Sequence, residues 1–221
     1  MHLYGWIPAT DLEMRGDVLG GDFDRNYNKD LGDAFEDLDG GGGGDMQFRW
    51  KRLVGMIDGA WVQNDFNGDG YFTNSIIDGK LGVRVVNLER ERTADYANPA
   101  PRFALDVLGG ARYRRAEMDV DVNTPIGDVG IQKDRDWVDA VVGLGLTVGI
   151  LPNLTLSAVG DYGGFDWGNS SHRTWSVNPR LTFRAWEHLD LFVGWKYLND
   201  DHDGDLDMDL NGPQAGIGYA F

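Results

Sequence analysis

The stretch Trp175-Ser176-Val177-Asn178-Pro179-Arg180-Leu181-Thr182-Phe183-Arg184 alternates from end to end. Side chains of an extended chain point to opposite sides in turn. Trp175, Val177, Pro179, Leu181 and Phe183 therefore share one face, and Ser176, Asn178, Arg180, Thr182 and Arg184 the other. One face is apolar and aromatic; the other carries two guanidinium groups. Such a segment is a strand lying between two media of opposite polarity.

The same period runs outward from it. Leu189, Leu191, Val193, Trp195 and Tyr197 oppose Asp190, Phe192, Gly194, Lys196 and Leu198. Ile77, Leu81, Val83 and Val85 oppose Asp78, Lys80, Gly82 and Arg84, and Phe103, Leu105, Val107, Ala111 and Tyr113 oppose Asp106, Gly110, Arg112 and Arg114. Turn-forming residues divide the chain into predicted strands at 3–18, 44–52, 53–65, 76–88, 102–116, 136–149, 153–165, 172–185, 188–200 and 206–221. The pattern predicts an all-β fold: a closed antiparallel up-and-down transmembrane β-barrel of about ten strands, with eight as the alternative. Residues 1–221 would form one domain.

A soluble barrel or sandwich alternates too, with its apolar face inside. Two features favour the inverted arrangement, with the apolar face toward lipid. First, the polar face carries long charges of both signs: Asp11, Glu13, Arg15, Arg49, Asp58, Arg84, Asp106, Arg112, Asp139, Asp161, Arg180, Arg184 and Lys196. In a narrow, desolvated lumen such charges must pair. Second, aromatics flank the apolar face at both strand ends. Trp50, Phe103, Phe183, Trp186 and Phe221 mark one rim; Trp61, Tyr113, Trp137, Tyr162, Trp175, Trp195 and Tyr197 mark the other.

Connections also alternate in length. Those at 51–53, 150–153 and 185–188 are tight, whereas 64–75, 115–136, 166–171 and 199–205 are longer and rich in Asp, Asn and Gly. Short turns on the periplasmic side and longer loops outside are expected of a bacterial outer-membrane barrel. The turn at 87–101, long and charged, departs from this.

Composition narrows the functional classes. A net charge of −16 argues against nucleic acid, whose phosphates need a basic partner. With 42% hydrophobic residues the chain can build packed structure, so disorder is not expected. No stretch approaches the about 20 apolar residues of a membrane helix. A mean hydropathy of −0.38 is compatible with barrel strands, whose two faces average out. Cysteine is absent. Met1 reads as an added start on a mature chain, which would hide an export signal.

One segment breaks the period. In residues 26–39, Leu31, Phe35 and Leu38 stand at helical spacing ahead of the glycines 40–44. Residues 26–44 are expected to be an outer loop with a helical turn, or a short helix plugging the barrel mouth, with the glycines as a flexible hinge.

Several ordered motifs carry a family resemblance. Trp137-Val138-Asp139-Ala140-Val141-Val142-Gly143 resembles a Trp-Val-Asp-Pro-x-x-Gly strand start, and Gly160-Asp161-Tyr162-Gly163-Gly164-Phe165 a Gly-Asp-x-Gly-Gly-Phe-Gly element. Leu105–Tyr113 resembles a Leu-Asp-x-x-x-Gly-x-Arg-Tyr strand, and Gly194-Trp195-Lys196-Tyr197-Leu198 with the ending Gly212 to Phe221 completes the series. Together these resemble small bacterial outer-membrane β-barrel proteins, loosely grouped with porin-like and OmpA-like barrels, over most of residues 45–221. Ala140 in place of Pro, Asp166 in place of Gly and the five-glycine run depart from the pattern and leave room for an engineered relative. The resemblance implies location and architecture and brings no catalytic residues.

The closing strand resembles the signal read by the outer-membrane insertion machinery, with Ile217, Tyr219 and Phe221 on one face. Its apolar phase slips, since Leu206, Met208 and Leu210 are even-numbered and the later apolar positions odd. A bulge near Asn211-Gly212-Pro213 would absorb the slip.

Three chemistries remain as expectations. Ser170 or Ser171 with His172 could form a surface hydrolase pair, although no acid is evidently placed to orient the histidine. Asp65, Asn67 and Asp69 match the first half of a calcium loop that lacks its final Glu, and Asp201, Asp203 and Asp205 could gather hard cations. Calcium is thus the one candidate cofactor. The leading reading is a non-enzymatic monomeric barrel, structural or narrowly conducting, in contact with lipid and lipopolysaccharide. The alternative is surface binding of cations, lipopolysaccharide or a partner through the acidic loops.

Overall fold

The computed structural model describes residues 1–18, 21–36, 40–65, 70–90, 101–124, 127–168, 170–202 and 206–220; for 14–18, 21–27, 35–36, 40, 64–65, 70, 118–124, 127–133 and 206 it describes the backbone alone. The strands are β1 (His2–Trp6), β2 (Ala9–Val18), β3 (Gly21–Lys29), β4 (Gly40–Trp50), β5 (Leu53–Asp65), β6 (Gly70–Leu88), β7 (Phe103–Thr124), β8 (Gly127–Leu151), β9 (Leu154–Gly164), β10 (Arg173–Arg184), β11 (Leu189–His202) and β12 (Leu206–Tyr219), with a short helix α1 (Leu31–Glu36) after β3. Every pairing is antiparallel. β4 to β12 follow one another in sequence order, and β1 closes the sheet by pairing with both β12 and β4. The result is a ten-stranded barrel, with β2 and β3 as an added hairpin on the outer half of β12.

The predicted strand 3–18 is broken in two. β1 lies along the lower half of β12 (Trp6 opposite Gln214) and β2 along its upper half (Ala9 opposite Asn211). The break at Ile7-Pro8 faces Gly212-Pro213, and the Ile7 amide donates to the Pro213 carbonyl at 3.2 Å. The amide hydrogen that Pro213 lacks would have pointed at this break, so the proline costs the β11–β12 ladder nothing.

The expected bulge at 211–213 is absent. β12 pairs with β11 in one unbroken register from Tyr219 opposite Leu189 to Leu206 opposite His202. Met208 and Leu210 therefore face the barrel interior together with Gln214. What changes along the strand is the medium outside, not the side to which the residues point.

The glycines 40–44 are no hinge. They begin β4 and pair with both β1 and β5, Gly43 opposite Tyr4 and Gly41 opposite Trp6. A Cβ on Gly43 would lie 2.6 Å from Tyr4 Cζ, so the glycine is the space into which the aromatic ring folds. The charged lumen is occupied by the barrel's own side chains.

Three strands far exceed the about 9–11 residues that cross a bilayer, β6 with 19 among them. β7 has 22 residues and β8 has 25, so the predicted loop 115–136 is largely a projecting β-hairpin. Likewise β5 and β6 continue into the predicted loop 64–75.

The outward face below these projections is apolar: Leu81, Val83, Val107, Val142, Leu144, Leu191, Val193 and Ile217 are all exposed. An uncovered apolar belt around a closed sheet, with charges sealed inside, is the arrangement of a transmembrane barrel.

Candidate functional site: a filled lumen beneath an outer sheet

The alternation fixes which side chains enter the lumen, and its lower half is ionic. Arg112 on β7 is fully buried. It donates to Asp78 at 2.8 and 3.2 Å, Asp161 at 2.8 Å, Thr174 at 3.0 Å and Ser176 at 3.0 Å. Lys80 joins the same carboxylates, 3.1 Å from Asp78 and 2.9 Å from Asp161. A second group gathers around Asp58, with Lys196 at 2.6 Å, the Tyr4 hydroxyl at 3.0 Å and Arg180 at 3.7 Å. Arg180 also pairs with Asp45, whose other oxygen meets His2 at 2.8 Å. Nearer the lower rim, Arg84 grips Asp106 through two bonds at 2.7 and 2.9 Å, and Arg184 holds Asp190 at 2.9 Å. Buried carboxylates with several donors each are the condition under which desolvated charge is tolerated. Among Asp58, Asp78, Lys80, Asp161, Arg180 and Lys196 lies a cavity of about 50 Å³, room for a few water molecules.

Above this network the interior turns apolar. Trp6, Leu12, Ala60, Val62, Phe72, Ile76, Trp137, Leu198, Met208 and Leu210 form one buried cluster. Arg114 pairs with Asp200 inside it and lies 5.7 Å over the Trp137 ring, which meets the His202 ring at 4.8 Å, tilted by 31°. Asp139 accepts from the Ser171 amide at 2.7 Å and the Ser171 hydroxyl at 3.1 Å. Around this cluster the outer surface becomes polar, so polarity inverts between the two levels.

On that polar surface carboxylates stand opposite one another. Asp207 is flanked by Asp201 on β11 and Glu13 on β2, and Asp209 lies opposite Asp11. Burial comes first, and the neighbouring Asp201, Asp209 and Glu13 next, in raising the Asp207 carboxyl above its ordinary pKa.

The β9–β10 connection is built differently. Ser170 Oγ accepts from the Trp167 amide at 2.6 Å and donates to the Gly164 carbonyl at 3.0 Å. His172 Nδ1 bonds Asp166 at 2.8 Å, and this bond raises the His172 pKa. Ser171 is buried while His172 is exposed, so no Ser–His pair forms.

Across its whole length the chain is similar in fold to the outer membrane protease OmpT of Escherichia coli, at 11% identity, covering 100% of this chain and 97% of that one with a TM-score of 0.56. The chain has an outer-membrane β-barrel fold. Other similar structures are the attachment invasion locus protein Ail of Yersinia pestis (12% identity, 100% and 97% covered, TM-score 0.43) and the translocator domain of the autotransporter NalP of Neisseria meningitidis (10% identity, 100% and 89% covered, TM-score 0.36). No family model matches the chain, and no curated protein does.

In this barrel the sequence-predicted charges separate into groups. Asp58, Arg84, Asp106, Arg112, Asp161, Arg180, Arg184 and Lys196 meet in the lower lumen through the bonds given above. Asp139 is buried higher up against Ser171, and Arg49 is exposed at the lower rim. Asp11 and Glu13 belong to β2 above the membrane and lie on its outer side, not in the lumen, because there Thr10 and Leu12 take the inward positions. Arg15 continues that strand and is described by its backbone alone. Trp137, expected in the outer rim, is inside the barrel.

Ile217 and Tyr219 face outward on β12, and Phe221 lies outside the described residues. Of the calcium candidates, Asn67, Asp69, Asp203 and Asp205 also lie outside them, Asp65 is described by its backbone alone, and Asp201 sits opposite Asp207. Among the described residues no three acidic or histidine side chains are placed to hold a metal ion. The sequence offered no sign of the apolar interior cluster beyond the even-numbered phase of Met208 and Leu210.

Proposed function

We propose that this protein is a non-conducting, non-enzymatic outer-membrane barrel whose lumen is structural and whose working surface is the sheet above the membrane. One observation carries the reading: the interior is filled at two levels, by paired charges below and by packed apolar side chains above. Water and ions crossing the lower network would meet the packed side chains of Trp6, Phe72, Leu198 and Leu210. The two hydroxyls once expected to serve hydrolysis are engaged elsewhere, Ser170 with backbone and Ser171 with Asp139. The likeness to a protease is one of fold.

Outside, the projecting hairpin of β7 and β8 and the added β2–β3 hairpin supply the surface for contact with lipopolysaccharide or a partner. Ile217 and Tyr219 remain our proposed contacts for the insertion machinery. Proteoliposomes in sugar solution test the reading: swelling no faster than in protein-free liposomes supports it, and accelerated swelling contradicts it.

A further inference from the structure

The connection joining β9 to β10 stays close to the barrel. β9 ends at Gly164, which pairs with Ala140 on β8 and Arg173 on β10. Val138, still an exposed apolar residue, lies two positions above Ala140 on β8. The connection thus starts within the height of the apolar belt, while β7 and β8 rise past it.

At that height it presents Phe165, 51% exposed, and Trp167, 82% exposed. Phe165 meets the lipid-side ring of Tyr162 edge to face at 5.8 Å, so its ring continues the belt's surface. The backbone is held in an uncommon shape, with φ of 72° at Phe165 and 54° at Asp166. The Ser170, Asp139 and Asp166 hydrogen bonds described above keep it there. Arg173, exposed at the first position of β10, stands opposite Gly164, where the connection leaves β9. Aromatic rings with a neighbouring cation are the chemistry that settles at the boundary between lipid headgroups and acyl chains.

We propose that residues 164–168 and 170–172 form an interfacial anchor, with Phe165 and Trp167 inserted into the outer leaflet and Arg173 against a lipid phosphate. The inference rests on the membrane reading of the barrel. To test it, the full chain, Trp167→Phe and Trp61→Phe are reconstituted in phosphatidylcholine vesicles with and without brominated acyl chains. The emission lost in each variant isolates that indole. We expect the Trp167 emission to be blue-shifted, largely quenched by brominated lipid and little affected by iodide. Emission at the water position, quenched by iodide and not by brominated lipid, would overturn the anchor and leave a water-exposed docking surface. Trp61 faces outward at the rim of the belt and serves as the reference: if brominated lipid quenches neither indole, the membrane reading itself fails.

Discussion

Lys196 Nζ stands 2.6 Å from Asp58 Oδ1, although their strands, β11 and β5, are separated in the sheet by β12, β1 and β4. The bond crosses the lumen, and the Tyr4 hydroxyl from the intervening β1 bonds both partners. A barrel that permits so short a link between distant strands has little interior left to conduct through.

Removing one partner of such a pair strands the other. Lys196→Met is expected to lower stability by about 3 kcal/mol, since a buried carboxylate loses its nearest cation. Adding Asp58→Asn should recover most of that loss. Urea unfolding of the detergent-folded barrel, followed by heat-modifiable gel migration, measures both; a double variant no better than the single one would contradict the pairing.

Unbroken register along β12 makes an inside-outside prediction. Leu210→Ala should cost about 3 kcal/mol by opening a cavity in the upper cluster. Asn211→Ala, on the outer face, should change stability by less than about 0.5 kcal/mol. Equal effects at the two positions would mean that the strand is turned.

The Asp166 bond raises the His172 pKa. A histidine pKa raised on folding gives stability that is complete below the unfolded value, about 6.5, and is lost as pH climbs through the folded value. The bond should therefore add to the hold on the β9–β10 connection at mildly acidic pH and drop out at alkaline pH, leaving the Ser170 and Asp139 bonds in place. NMR titration of His172 should show a midpoint above the ordinary one, returning to it in Asp166→Asn; an unchanged midpoint in that variant would refute the bond.

Opposed carboxylates on the outer sheet repel. Asp207→Asn should stabilise the barrel by about 0.5 kcal/mol at neutral pH and low salt. Because the pKa of Asp207 is raised, its charge costs stability as pH rises through that value. The gain should therefore vanish in acid, and high salt should shrink it. Unfolding midpoints compared across pH and salt provide the check.

Much of the barrel was legible because period-two alternation is a local signal. Trp175–Arg184 announces a strand between lipid and lumen, and the inward side of Arg112, Arg180 and Lys196 follows from it. The height of the membrane was not legible, since it is set by the folded sheet. Along β12 the slip from Leu210 to Ile217 looked like a bulge, yet the backbone continues and the surroundings change from water to lipid. For the same reason Asp11 and Glu13 read as lumen residues when they face water. The glycines 40–44 misled in another way: their freedom suggested a hinge, while they pair as a strand in which Gly43 makes room for Tyr4, a partner distant in sequence.

Single-channel recording in planar bilayers tests the closed lumen most directly. With folded protein confirmed in the membrane, we predict a current indistinguishable from the bare bilayer over the whole voltage range. Reproducible unitary steps would contradict the two-level filling on which the account rests.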